Sequence, residues 1–193
     1  MLAEASNTYV ASNLIDNIAQ VLARFDLWPA KSAEFLKARS LAAQSIGAEI
    51  APAEVLRRVH ERSGGGLFLT REQGALTGAL AFVLLSREGL AAVETDRFDA
   101  FDVPLDCIAR PSEQPAGLYA WGLCATTRRS ARRVVAGARA MRVEITPDLP
   151  CFGRAATPAG RRLMVDHLRC KPLPKSRTGI LVFEAPAALG RAA

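Results

Sequence analysis

The chain has 193 residues, half of them hydrophobic and 23% charged, with a formal net charge of +6 at pH 7. Such a length fits one domain, or a domain with a helical extension, able to bury roughly 70% of the surface its unfolded form would expose, and the composition excludes a disordered chain. The positive charge is regional: residues 126–177 hold 13 Lys+Arg against 3 Asp+Glu, a local excess of +10 that attracts anions without choosing among them.

Val10, Leu14, Ile18, Val21 and Phe25 recur at steps of three and four, which predicts an amphipathic helix with Ser6 and Asn7 as caps. Trp28-Pro29 ends it and puts a proline where a second helix would begin, with Phe35, Leu36, Leu41 and Ile46 as its apolar residues and Gly47 as its stop. A third helix, from about Pro52 to Arg62, turns Val55, Leu56 and Val59 inward and ends at Gly64-Gly65-Gly66. The period then shortens. Leu67-Phe68-Leu69-Thr70, a turn at Glu72-Gln73-Gly74, and Leu76–Leu85 predict a hairpin whose second strand is buried on both faces. Residues 88–115 read mostly as loop, with one short strand near Leu90–Val93. Leu118–Ala125 reads as a strand in which Gly122 signals a bulge or a close backbone approach. It leads into Thr126–Arg133 and a helix through Val134, Val135, Ala138 and Met141. Cys151–Ala155 predicts a strand, Thr157-Pro158 opens a helix bearing Leu163, Met164, Val165 and Leu168, and Ile180–Glu184 makes the last strand.

The four cysteines, Cys107, Cys124, Cys151 and Cys170, show no C-x-x-C spacing, and His60 and His167 add no ligand pattern, so no metal site is expected. The longest apolar run, Ala79–Leu85, is too short to cross a bilayer, and Glu4-Ala5-Ser6-Asn7 is polar where a leader would be basic and then apolar. A cytoplasmic protein without membrane contact is the expectation.

The segment with chemistry in it is the strand, basic turn and helix over Leu118–Arg142. A helix start presents unpaired N–H groups and a partial positive charge, so a turn there suits phosphate oxygens, and arginines add charge-assisted hydrogen bonds. Arg128, Arg129, Arg132 and Arg133 exceed what capping needs, and cations at a helix start oppose its dipole unless an anion is present. The plain alternative is a solvated helix face. The acidic stretch Glu94, Asp96, Asp99, Asp102 and Asp106 is read chiefly as loop solvation, and Tyr119, Trp121 and Cys124 as core.

The order of hairpin, strand, basic turn, helix, strand, helix and final strand over residues 67–184 resembles the GNAT N-acetyltransferases. The resemblance implies an α/β (α+β) fold, a mixed and mostly antiparallel central sheet flanked by helices. The expected divisions are a helical region over 1–63, a GNAT-like acyl-CoA-binding core over 64–185, and a frayed tail over 186–193. In that family the fourth strand splays from the fifth, and the following turn holds the CoA pyrophosphate through an Arg/Gln-x-x-Gly-x-Gly/Ala motif. Here the motif is Arg128-Arg129-Ser130-Ala131-Arg132-Arg133, with alanine for the first glycine and arginine for the last small residue. The family begins with a strand that this sequence does not display, and the helix from Thr157 to Leu168 lacks the tyrosine commonly used as general acid, which leaves Asp166 and His167 as weak catalytic candidates.

The leading expectation is transfer of an acyl group from acetyl-CoA, or another acyl-CoA, to an unidentified amine. The turn Arg128–Arg133 would hold the cofactor, and backbone near Leu123–Ala125 would polarise the thioester carbonyl. The alternatives are a nucleic-acid-binding or regulatory protein using the basic half, and a GNAT-shaped protein that has lost catalysis. A homodimer is compatible with the N-terminal helices.

Overall fold

The computed structural model of the protein describes residues 14–47 and 50–183, and for His167 the backbone alone. Ser6, Asn7, Val10, Glu184 and the tail from 186 lie outside the described residues. Among the described residues one sheet of seven strands is formed by β1 (Trp28–Pro29), β2 (Leu67–Glu72), β3 (Ala75–Leu85), β4 (Gly117–Ala125), β5 (Cys151–Arg154), β6 (Lys171–Pro172) and β7 (Ile180–Phe183). Their order is β1-β2-β3-β4-β5-β7-β6, antiparallel throughout except for the parallel pair β4–β5. This is the expected mixed, mostly antiparallel sheet flanked by helices.

The helices are α1 (Leu14–Ala23), α2 (Phe35–Ile46), α3 (Ala53–Ser63), α4 (Arg87–Glu94), α5 (Arg128–Ala140) and α6 (Pro158–Arg162). The two-residue period of the strands sorts them into layers. Phe68, Leu80, Phe82, Leu84 and Leu118 pack with Ile18 and Leu22 of α1 and Val134 of α5. The alternate residues Leu67, Leu69, Ala79 and Ala81 meet Phe35 and Leu41 of α2 and Leu56 of α3. Val83, Leu85 and Tyr119 join Val59 and Val93 on that second face. A β3 buried on both faces is therefore as its unbroken apolar run predicts. Gly47 and Gly64 stop α2 and α3 at φ of 66° and 75°, a left-handed backbone that glycine adopts without a Cβ clash.

Three elements differ from the sequence expectation. Residues Arg87–Glu94 are a helix, where a loop with a strand near Leu90–Val93 was expected: the Ser86 hydroxyl accepts from the Gly89 N–H at 3.0 Å, and Gly89 and Val93 face inward. Trp28-Pro29 does not start a helix; it pairs with Leu69 and Phe68 and places a short strand between α1 and α2, which the sequence did not reveal. Lys171-Pro172 pairs with β7 in the same way. No described helix is long and apolar enough to cross a membrane.

Candidate functional site

The candidate site lies where the parallel pair comes apart. β4 and β5 are in register at Leu118↔Cys151, Tyr119↔Phe152 and Ala120↔Gly153, and the pairing ends there while β4 continues to Ala125 beside β3. The parting coincides with a bulge. Ala81 opposes Gly122 and Phe82 opposes Ala120, so Trp121 is the extra residue, and a bulge bends and twists the strand that carries it. The predicted irregularity at Gly122 is thus real, and a Cβ there would meet nothing within 4 Å. Leu123 is 38% exposed. Cys124 points into the core, where burial pushes its thiol up to about 11, so it is an inert small apolar group as read from the sequence. Trp121 donates from Nε1 to the Ala100 carbonyl at 2.8 Å, and Tyr119 is buried 4.8 Å from the Phe98 ring centroid, so both aromatics serve packing.

At the end of β4 the chain turns into α5. Thr127 is the N-cap: its hydroxyl accepts from the Ser130 N–H at 3.0 Å, and the Ala131 N–H reaches the Thr127 carbonyl at 2.9 Å. Helix geometry leaves the N–H groups of Arg128 and Arg129 without an intrahelical acceptor. After β5, Thr157 caps α6 in the same manner, accepting from the Gly160 N–H at 3.0 Å.

The residues of the basic turn separate by role. Arg128, Arg129 and Arg132 are exposed and make no ion pair among the described residues. Arg133 is committed to structure: it pairs with Asp26 at 2.9 Å and donates to the Thr70 hydroxyl and the Arg71 carbonyl, each at 3.3 Å. Ser130 is fully buried, its hydroxyl 2.7 Å from that of Thr77 and 2.8 Å from a Glu72 carboxylate oxygen. Ala131 is exposed.

Sequence reasoning missed Glu72. The hairpin turn carries its carboxylate across to α5, where it accepts from the Thr127 hydroxyl at 2.7 Å as well as from Ser130. These two hydroxyls, with Arg129 and Arg133 nearby, hold it below the usual carboxylate range. A charged residue beside a Gln-Gly turn reads as solvated, so no local pattern signalled the contact.

Asp166 is exposed on the π-helical turn Leu163–His167 that extends α6, and the side chain of His167 lies outside the described residues. Asp96 and Asp102 of the acidic stretch are used internally. Asp96 accepts from the Ser176 hydroxyl at 2.9 Å and from the Arg177 and Thr178 N–H groups at 2.7 and 3.2 Å, and Asp102 pairs with Arg58 at 2.5 Å. Among the described residues no group of three or more His, Cys, Asp or Glu side chains could hold a metal.

No family model matches the chain, and no curated protein matches it. Among solved structures it is similar to a GNAT-like decarboxylase, GphF, in complex with isobutyryl-CoA. The identity is 16%, the match covers 70% of this chain and 69% of that one, and the TM-score is 0.47.

Proposed function

We propose that the protein binds an acyl-CoA in the gap between β4 and β5 and transfers its acyl group to an amine. One observation carries the reading: β4 leaves β5 after Ala120↔Gly153 and runs directly to a helix start with free N–H groups and the unpaired Arg128, Arg129 and Arg132. A pyrophosphate on the N–H groups of Arg128 and Arg129 meets the positive end of α5 and the guanidinium groups together. Arg132 and the backbone of Ser130, Ala131 and Arg133 complete the turn around it. The pantetheine arm then takes the place along β4 that β5 vacates.

The chemistry this suits is acyl transfer by positioning. A backbone N–H at Leu123 or Ala125 polarises the thioester carbonyl, the neutral amine forms the new C–N bond and gives up an N–H proton to solvent, and the C–S bond breaks to release the thiolate, which takes up a proton. Asp166 and His167 are the candidates to supply that proton. Acetyl-CoA is the donor to test first. A reading in which the protein holds acyl-CoA without turning it over is favoured by the helix from Thr157 to Leu168, which has no tyrosine to serve as general acid.

A second reading has its own support. Arg128, Arg132 and Arg139 are exposed on one stripe of α5, one and then two turns apart, an arrangement suited to a phosphate backbone. Calorimetric titration with acetyl-CoA and, separately, with a short DNA duplex distinguishes the two. Saturable acetyl-CoA binding that weakens at least tenfold in the Arg128→Ala/Arg129→Ala double variant supports the acyl-CoA reading. DNA binding with steep salt dependence, and no heat from acetyl-CoA near millimolar concentration, overturns it.

A further inference from the structure

Arg142 lies at the far end of α5, in the π-helical turn Met141–Ile145, about 21 Å along the helix axis from Arg128 at 1.5 Å per residue. It is only 7% exposed, and among the described residues Nε, Nη1 and Nη2 have no hydrogen-bond partner. Among the described residues its directed contact is with an aromatic face, the guanidinium carbon lying 5.3 Å from the centroid of Phe183 at the end of β7. Cys151, which opposes Phe183 across the β5–β7 pair, is near enough to interact electrostatically, but burial pushes that thiol up to about 11, so it is neutral and no counter-ion. Asp148 also acts at a distance, yet it is exposed and forms no ion pair with Arg142.

A guanidinium carries five donors and stays protonated in proteins, so burial without an acceptor leaves both its charge and its N–H groups uncompensated. The negative end of α5 and the Phe183 ring offset part of the charge and none of the donors. Each arginine that forms a described ion pair is far more exposed than Arg142 or meets its carboxylate near the surface. A partner is therefore missing, and its chemistry follows from the fork: two oxygens sharing a negative charge.

We propose that Arg142 is the receptor of a second anion site, taking a carboxylate or phosphate on its guanidinium edge beside the Phe183 ring. The site stands apart from the acyl-CoA reading, since it lies at the opposite end of α5. Its anion has two sources. One is a small anion from solution; the other is the carboxylate of Glu184, which follows Phe183 in the sequence and is outside the described residues.

The Nε–Hε resonance of Arg142, assigned by its loss in Arg142→Lys, reports the contact in the full chain at constant ionic strength. With a solution anion, inorganic phosphate shifts the wild-type resonance saturably and Glu184→Gln leaves that response intact. With the chain's own carboxylate, the wild-type resonance ignores phosphate, and Glu184→Gln both moves it and makes it phosphate-sensitive. Phosphate at ten times its Kd then raises the Tm of the responsive protein by about 4 °C. That rise is lost in Arg142→Met and kept in Arg128→Ala/Arg129→Ala. A resonance that neither phosphate nor Glu184→Gln moves overturns the proposal, as does an equal phosphate-induced rise in Arg142→Met. Where Arg142→Met fails to fold, the resonance in the wild type and Glu184→Gln decides alone.

Discussion

Thr127 acts in two directions: its hydroxyl oxygen accepts from the Ser130 N–H, and its hydrogen goes to Glu72. Thr127→Ala loses the cap and costs about 1 kcal/mol, read as a lower urea midpoint with an unchanged slope, and Thr127→Ser restores most of it. His60 gives the pH dependence. Its Nδ1 accepts from the Gly66 and Leu67 N–H groups, 3.3 Å each, and burial holds its pKa below the ordinary 6.5. The folded protein therefore resists the proton that the unfolded chain takes up near pH 6.5. Stability is full above that pH and falls as the pH drops from 6.5 toward the folded value. Glu34, Glu72, Asp96 and Glu144, all held below their ordinary carboxylate values, lose their contributions only at more acid pH. Urea midpoints between pH 7.5 and 5 in the wild type and His60→Gln check this, the variant being the flatter of the two. At this scale the sequence revealed the cap Thr157, because Thr-Pro at a helix start is a local signal, but it did not show the same role for Thr127. It hid Glu72 and the commitment of Arg133 to Asp26, because both contacts join residues more than fifty positions apart.

Glycines test how the elements fit. At Gly137, α5 passes so close to the chain after α1 that a Cβ would sit 2.5 Å from Leu27 Cδ1 and 3.2 Å from Leu22 Cδ2, both on fully buried side chains. Alanine gains about 1 kcal/mol of helix propensity there, but overpacking costs roughly 1–3 kcal/mol, so Gly137→Ala lowers stability by about 1 kcal/mol. A raised Tm would contradict this packing. Gly122→Ala is the counterpart: the open space at that position predicts a stability change within about 0.5 kcal/mol, while the added methyl at the parting of β4 and β5 weakens acetyl-CoA binding. Long elements were legible because their periods are sustained, the burial of β3 on both faces being the clearest case. The misread ones are short. α4 shows a brief apolar run that fits strand or helix until Ser86 is seen to cap it, and β1 and β6 are two-residue pairings of an X-Pro dipeptide whose geometry exists only beside β2 or β7.

Across the whole molecule, the parallel pair and the basic half meet at one place. The sheet is antiparallel on both sides of β4–β5, and α5 and α6 both begin on Thr caps just beyond the ends of these two strands. The sequence showed the strand, turn and helix of this arrangement, and the charge excess over 126–177, without showing which arginines remain free; that depends on the tertiary partners of Arg133 and Ser130. The central claim is that the N–H groups opening α5 receive the phosphates of an acyl-CoA. The most direct measurement is an amide ¹⁵N–¹H titration of the full chain with acetyl-CoA. The account predicts saturable shifts at Arg128 and Arg129, with smaller ones along Gly122–Ala125, all lost in Arg128→Ala/Arg129→Ala at the same ligand concentration. Saturable binding that leaves those amides unmoved and shifts another surface would contradict it.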